Sequence, residues 1–446
     1  MMISAANART LWEIKLMYAL TNAGSSSISS FLTVYYQHTA GFSKVQIGVL
    51  QTLPNFSSVV APPVWGAVAD YIQDQRRIHV LCILTGTLFY FGIQFFSWSF
   101  GWTVVMVVMA RFQRCPSGSL LDHAVLDVLE RVGGEYGKQR LFGAVGWGIG
   151  AYFTGLLVVT GGIYWSFWTQ LVLWYSSLLV LQRIPPVKYS TLERKAHSEL
   201  ESGEDDEPRT TKPRVAPFAE SARLMTKELD VLVLLGVVFL MGLMYGVIAS
   251  FLTLNLYNLS GEDSRIVGIV VLCQTSSELP AFFFADKIIK KIGTVKVLLV
   301  SILGYAIRIA YYTVMTNAWG AIPFEFLHGV TFGLAWAACT QYIYSASPSG
   351  CASTVMGVLN AMQNGFARAS GTLVGGYFYE RYGPRTMWLV TGLGVPLSLV
   401  GLGVFAYLKG TADMQERMPL EEAEIFTPHG ANPQPMKADG YGSCGE

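Results

Sequence analysis

Residues 66–77 read GAVADYIQDQRR, and residues 282–293 read FFFADKIIKKIG. Each closes a long apolar run with an aspartate, Asp70 or Asp286, and then a basic cluster. Arg76 and Arg77 follow the first, and Lys287, Lys290 and Lys291 follow the second. A Gln-Thr pair lies upstream of both, at Gln51-Thr52 and Gln274-Thr275. The same pattern in two places points to a chain built from two equivalent halves.

The chain of 446 residues is 52% hydrophobic and 14% charged, well below the roughly 25% charge of soluble proteins. Residues 185–228 alone hold 17 of its 61 Lys, Arg, Asp and Glu. Outside that stretch lie twelve apolar runs, near 13–36, 45–69, 78–100, 102–125, 141–161, 163–184, 229–256, 265–285, 294–315, 319–344, 352–378 and 385–408. Each approaches the roughly 20 residues that cross a bilayer as a helix. Backbone facing lipid must satisfy its own hydrogen bonds, so these runs are expected as helices rather than open strands.

The expected fold is an all-α membrane protein of twelve transmembrane helices, in two six-helix bundles related by a pseudo-twofold repeat. Residues 1–184 form the first bundle and 229–409 the second. Residues 185–228 form a charged cytosolic linker and 410–446 a disordered cytosolic tail, because neither has a core-forming pattern. Lys and Arg concentrate in the loops after runs 2, 4 and 8, which places both termini in the cytosol. The sequon Asn258-Leu259-Ser260 then faces outward. The six cysteines show no metal-ligand spacing. No nucleotide-binding loop, hydrolase motif or kinase motif appears, so no enzyme activity and no cofactor is expected. A net charge of +1 gives no reason to expect nucleic acid.

Two inverted or parallel bundles with a site between them at mid-membrane are the plan of a rocking secondary transporter. GAVADYIQDQRR resembles the loop motif of the major facilitator superfamily through Gly66, Asp70, Arg76 and Arg77. It departs from that motif at Tyr71-Ile72-Gln73-Asp74. The stretches LLDHAVL (120–126), YGKQRLFGAVGWGIG (136–150), SSELPAFF (276–283) and LHGVTFGLAWAA (327–338) resemble the lactose-permease-like branch, which includes phenylpropionate permeases and nucleoside–proton symporters. The resemblance covers nearly all of residues 10–405. It implies alternating access, with a small solute, protons and the lipid bilayer as partners and a monomeric assembly.

Charges inside apolar runs are costly, roughly 2.5–3.5 kcal/mol each on insertion scales, and are functional candidates by default. Arg111 lies near the middle of the fourth run, and Asp122 lies nearer its cytosolic end. Glu278 in the eighth run precedes Pro280 by two residues. Arg308 in the ninth run and Glu325 in the tenth lie at similar depth on antiparallel neighbours, so they can pair. His328 shares a face with Glu325, three residues on. Proton coupling is expected at Glu325, His328, Arg308 and Glu278. Substrate contacts are expected at Arg111, Asp122, Asn360, Asn364 and Arg368. Gly66, Asp70, Arg76, Arg77, Asp286 and Lys287 are expected as a cytosolic latch. The resemblance also carries a departure: the branch places histidine before glutamate in the tenth run, whereas here Glu325 precedes His328.

Several alternatives stay open in the sequence. The Arg–Glu–His group could simply hold two helices together, Glu278 could make a structural hydrogen bond, and Asp122 could be an interfacial carboxylate. Arg368 could snorkel. Proton-coupled symport of a sugar, nucleoside or aromatic carboxylate is the expected function. Proton-driven export of a drug-like solute, or a non-transporting receptor or scaffold, are the alternatives.

Overall fold

The computed structural model describes residues 5–72, 75–133, 136–184, 229–346 and 352–425. The expected linker 185–228 and the end of the expected tail lie outside the described residues.

Every apolar run falls on helix, and the described residues contain no strand. In the first half these are α1 (Ala5–Ser29), α2 (Leu32–His38), α3 (Lys44–Ile72), α4 (Gln75–Phe96), α5 (Phe100–Val132), α6 (Tyr136–Gly161) and α7 (Trp165–Leu181). In the second they are α8 (Leu229–Leu259), α9 (Ser264–Ile292) and α10 (Thr294–Val314), then α11 (Ile322–Glu325), α12 (Ala335–Ser345) and α13 (Ala352–Asn360). The last are α14 (Arg368–Gly392) and α15 (Gly394–Ile425).

By length and composition, six helical stretches among the described residues can cross a membrane, and a bent pair adds a seventh. One of the six, Met356–Gly410, is a double-length stretch interrupted at Gly383, whose φ is +82°. Other runs are diluted or shortened. α1 ends in the polar segment SSSIS (25–29), α5 carries Arg111, Arg114 and Asp122, and α7 has 17 residues.

The tenth run departs from the continuous helix its sequence suggests. A 3-10 turn (Ala318–Ala321) and α11 lead to a break at Phe326-Leu327, and a π-helical turn (Gly329–Leu334) then leads into α12. The two parts bend by 42°. A second π turn, Ala361–Ala367, joins α13 to α14. Freed backbone groups at the first break are satisfied by neighbours, as burial in an apolar medium requires. The Ser277 hydroxyl accepts from the Gly329 amide at 3.0 Å, and the Ser301 hydroxyl donates to the Val330 carbonyl at 2.8 Å.

Glycine allows the closest helix contacts. Gly146 and Gly150 on α6 lie against the backbone of Ala19 and Ala23 on α1, and Gly371 on α14 lies against that of Leu243 on α8. These small-residue pairs therefore pack helices inside each half.

The halves meet through α6 with α9, α3 with α14, and α2 with α8. A Cβ on Gly268 would meet the Ala151 carbonyl at 2.8 Å, and one on Gly48 would meet the Thr372 carbonyl at 3.3 Å. Among the described residues, hydrogen bonds across the halves cluster toward the end that holds Asn258. There the Lys44 amide donates to Glu380 at 2.6 Å, and the Ser264 hydroxyl donates to the Gly155 carbonyl at 3.0 Å. His38 sits between two oxygen acceptors, Asn258 Oδ1 at 2.7 Å and Glu262 Oε1 at 3.3 Å.

Candidate functional site

Arg308 on α10 and Glu325 at the end of α11 are both fully buried, and their side chains pair at 2.8 Å. The rest of the guanidinium is also engaged. Its Nε donates to the Tyr312 hydroxyl at 3.0 Å, and Nη1 donates to the Thr331 hydroxyl at 2.9 Å. Tyr312 in turn donates to Glu325 Oε1, and Gln274 on α9 donates to Oε2 at 2.6 Å. Three donors thus converge on one carboxylate. Such charge-assisted bonds are the strong ones, and they fit an ionised acceptor.

The Tyr312 oxygen bridges the two charged groups. It accepts from Arg308 and donates to Glu325.

His328 Nδ1 lies 3.4 Å from Arg308 Nη1. Arginine only donates, so the geometry assigns the lone pair to Nδ1 and the ring proton to Nε2. The imidazole stacks on Phe332 at 5.4 Å, and Phe332 stacks on Tyr245 at 4.9 Å. The wide π turn spaces His328 and Phe332 on one face, in keeping with the frequent use of such turns at functional sites. Arg368 lies over the opposite partner of this stack, 5.4 Å from the Tyr245 ring centre.

Glu278 lies one turn along α9 from Gln274, half-buried. Among the described residues it has no hydrogen bond and no ion pair. A Cβ on Gly333, in the π turn, would stand 3.7 Å from Glu278 Cγ. Asn364 donates to Asn360 at 2.7 Å, so the expected polar strip is partly turned on itself, with Arg368 directed to Tyr245 instead.

The first half holds a different arrangement from the one its sequence suggests. Asp122 lies eleven residues from Arg111, about 16 Å along the helix axis, so the two do not form one contact group. Asp122 accepts from Tyr18 at 2.6 Å and faces Arg140 at 3.8 Å. Arg111 is half-buried. Arg114, three residues further on, donates to the Ser25 hydroxyl and lies 4.8 Å over the Trp174 ring.

Of the latch candidates, Gly66 and Asp70 are on α3, and the Asp70 side chain lies outside the described residues. Arg76 donates to the Leu181 carbonyl, which ties α4 to α7 within the first half. Arg77 is exposed, as are Asp286 and Lys287 at the last turns of α9.

The sequence also leaves four partners unnamed. Tyr312 is one turn from Arg308, and Gln274 is one turn from Glu278, so same-face spacing was the available signal for both. Thr331 and His38 had none, because their roles depend on a helix break and on contact across the halves.

The MFS_1 like family matches residues 11–390, so the chain belongs to this family of major facilitator secondary transporters and is not an enzyme. It is 26% identical to the maltose permease of Geobacillus stearothermophilus over 418 residues, 92% of this chain and 97% of that one. It is 23% identical to the melibiose permease of Enterobacter cloacae over 398 residues, 85% of this chain and 89% of that one. The fold is that of the nucleoside transporter NupG, with a TM-score of 0.72 at 15% identity, covering 90% of this chain and 98% of that one.

Proposed function

We propose that this protein is a proton-coupled symporter of a small polar organic solute. The observation that carries this reading is the buried Arg308–Glu325–His328 group at a helix break, beside the unpartnered carboxyl of Glu278. A scaffold has no use for ionisable groups in an apolar interior, where each is costly. A carrier uses them to link solute occupancy to protonation.

In this reading, twelve helices cross the membrane as two six-helix bundles, 1–184 and 229–409, with both termini in the cytosol. The contacts at the Asn258 end then close the outer face, and the solute exchanges with the cytosol. In the opposite state, Asp70, Arg76 and Arg77 with Asp286 and Lys287 close the cytosolic face. Arg111 and Arg368 supply donors to the solute, and the Tyr245–Phe332–His328 stack offers a flat surface to a ring. Sugars and nucleosides are the solutes to screen first, because relatives are sugar permeases and a structural neighbour is a nucleoside transporter.

The test is uptake of radiolabelled maltose, melibiose and uridine into proteoliposomes with an imposed pH gradient. Accumulation that a protonophore collapses is expected. Uptake indifferent to the gradient would sink the coupling claim.

A further inference from the structure

Four ionisable groups crowd the break in the second half, and they differ in what they still have free. Arg308 donates to three oxygens and has nothing to accept with. Glu325 is fully buried, and its two oxygens receive Arg308, Gln274 and Tyr312. A proton arriving there would leave the buried Arg308 charge without its counter-charge. His328 turns Nδ1 to Arg308. A proton on that nitrogen would set N–H against N–H and cation against cation. Glu278 alone has both carboxylate oxygens uncommitted, and it alone of the two carboxylates keeps solvent exposure.

We infer that Glu278, and not Glu325, is the carboxylate that takes up and releases the coupled proton, with the Arg308–Glu325 ion pair and Tyr312 a positioning lock. This rests on the symport reading above. The step is a simple acid–base exchange. Hydronium entering from one face gives a proton to a Glu278 oxygen, an O–H bond forms, and the negative charge disappears. After reorientation the O–H bond breaks and water at the other face takes the proton.

The surroundings suit this role. Tyr245 on α8 lies close enough to Glu278 for the two to interact electrostatically, and the Arg368 guanidinium lies 5.4 Å from the Tyr245 ring centre. Arg308 on α10 is neutralised by Glu325, and His328 carries no charge in the assigned tautomer. From the first half, α6 presents Gly148 to Thr275 and Leu272, and no charge. Gly333, in the π turn, packs beside Glu278 Cγ. Glu278 also follows Gln274 by one helical turn. A change at the proton site therefore has a short path, through Gln274, to the lock that joins α10 to α11.

Infrared difference spectra of the full chain in lipid nanodiscs, titrated with acid, read protonation without any solute. Wild type minus Glu278→Gln should contain one carboxylate that converts to a carboxyl. Wild type minus Glu325→Gln should contain a carboxylate that does not convert. Glu278→Asp should restore the converting group. A converting group in the Glu325→Gln difference, or none in the Glu278→Gln difference, overturns the assignment. In proteoliposomes, with maltose and uridine as probes, gradient-driven accumulation should fall to equilibration in Glu278→Gln and return in Glu278→Asp. Accumulation kept in Glu278→Gln overturns this inference alone. A wild type that ignores the gradient overturns the symport reading, whatever the spectra show.

Discussion

Arg308 and Glu325 stand 2.8 Å apart on successive helical segments, and neither side chain reaches solvent. Removing one partner leaves a buried charge unpaired, which costs about 3–5 kcal/mol, whereas removing both leaves none. Arg308→Met and Glu325→Met should each be strongly destabilised, and the double variant should be more stable than either single one. Thermal unfolding of the detergent-solubilised protein measures this. A double variant as unstable as the sum of the two would mean that the pair does not act as a unit.

Tyr312 connects the two charges through one oxygen. Tyr312→Phe keeps the ring packing against Trp388 but leaves Arg308 Nε and Glu325 Oε1 each short of a partner. The expected loss is about 1–3 kcal/mol. In Arg308→Met/Glu325→Met, the same substitution should cost little. An equal cost in both backgrounds would show that the hydroxyl serves some other contact.

Gly268 has no room for a side chain, since a Cβ there would come within 2.8 Å of the Ala151 carbonyl and 2.9 Å of Tyr152 Cα. These contacts join α9 to α6 across the halves. Gly268→Val should push the Asn258 end apart and favour the state open at that end. Thr52→Cys, in a background without the native cysteines, reports this through its labelling rate by a membrane-impermeant maleimide. Thr52 is buried in the closed arrangement. Faster labelling is expected, and an unchanged rate would place the contact outside the gate.

His38 fastens the same end across the halves. Both ring nitrogens face oxygen acceptors, Asn258 Oδ1 and Glu262 Oε1, and Tyr257 packs edge-on against the ring at 5.1 Å. Asn258 is oriented by its amide nitrogen, which donates to the Tyr379 hydroxyl at 3.4 Å. Loss of the ring removes both contacts. Labelling of Thr52→Cys should quicken in His38→Ala, and an unchanged rate would place the ring outside the gate.

The helical architecture was legible because bilayer-length apolar runs and an aspartate-plus-basic repeat are one-dimensional signals. The Arg308–Glu325 pair was legible for a related reason: short connections fix the depth of neighbouring helices. What escaped depends on helix rotation and on departures from regular geometry. No local pattern marks the break at Phe326-Leu327, and that break turns Thr331 toward Arg308. Arg111 and Arg114 differ by three residues on one face, so depth alone could not show which of them meets Ser25 and Trp174. Asp122 stood in the sequence as a charge near the cytosolic end of the same run. Its partners, Tyr18 and Arg140, come from helices whose placement the sequence does not encode locally.

The two π turns have a consequence for motion. A wide turn holds one more residue than an α turn, and passing that surplus to the next position reorients the residue it crosses by about 100°, one helical step. No hydrogen-bonded turn has to open fully for this to happen. His328 stands at the edge of one such turn, and Arg368 stands at the edge of the other. Both side chains can therefore be redirected by a ripple running along a helix, while the bundles on either side keep their packing.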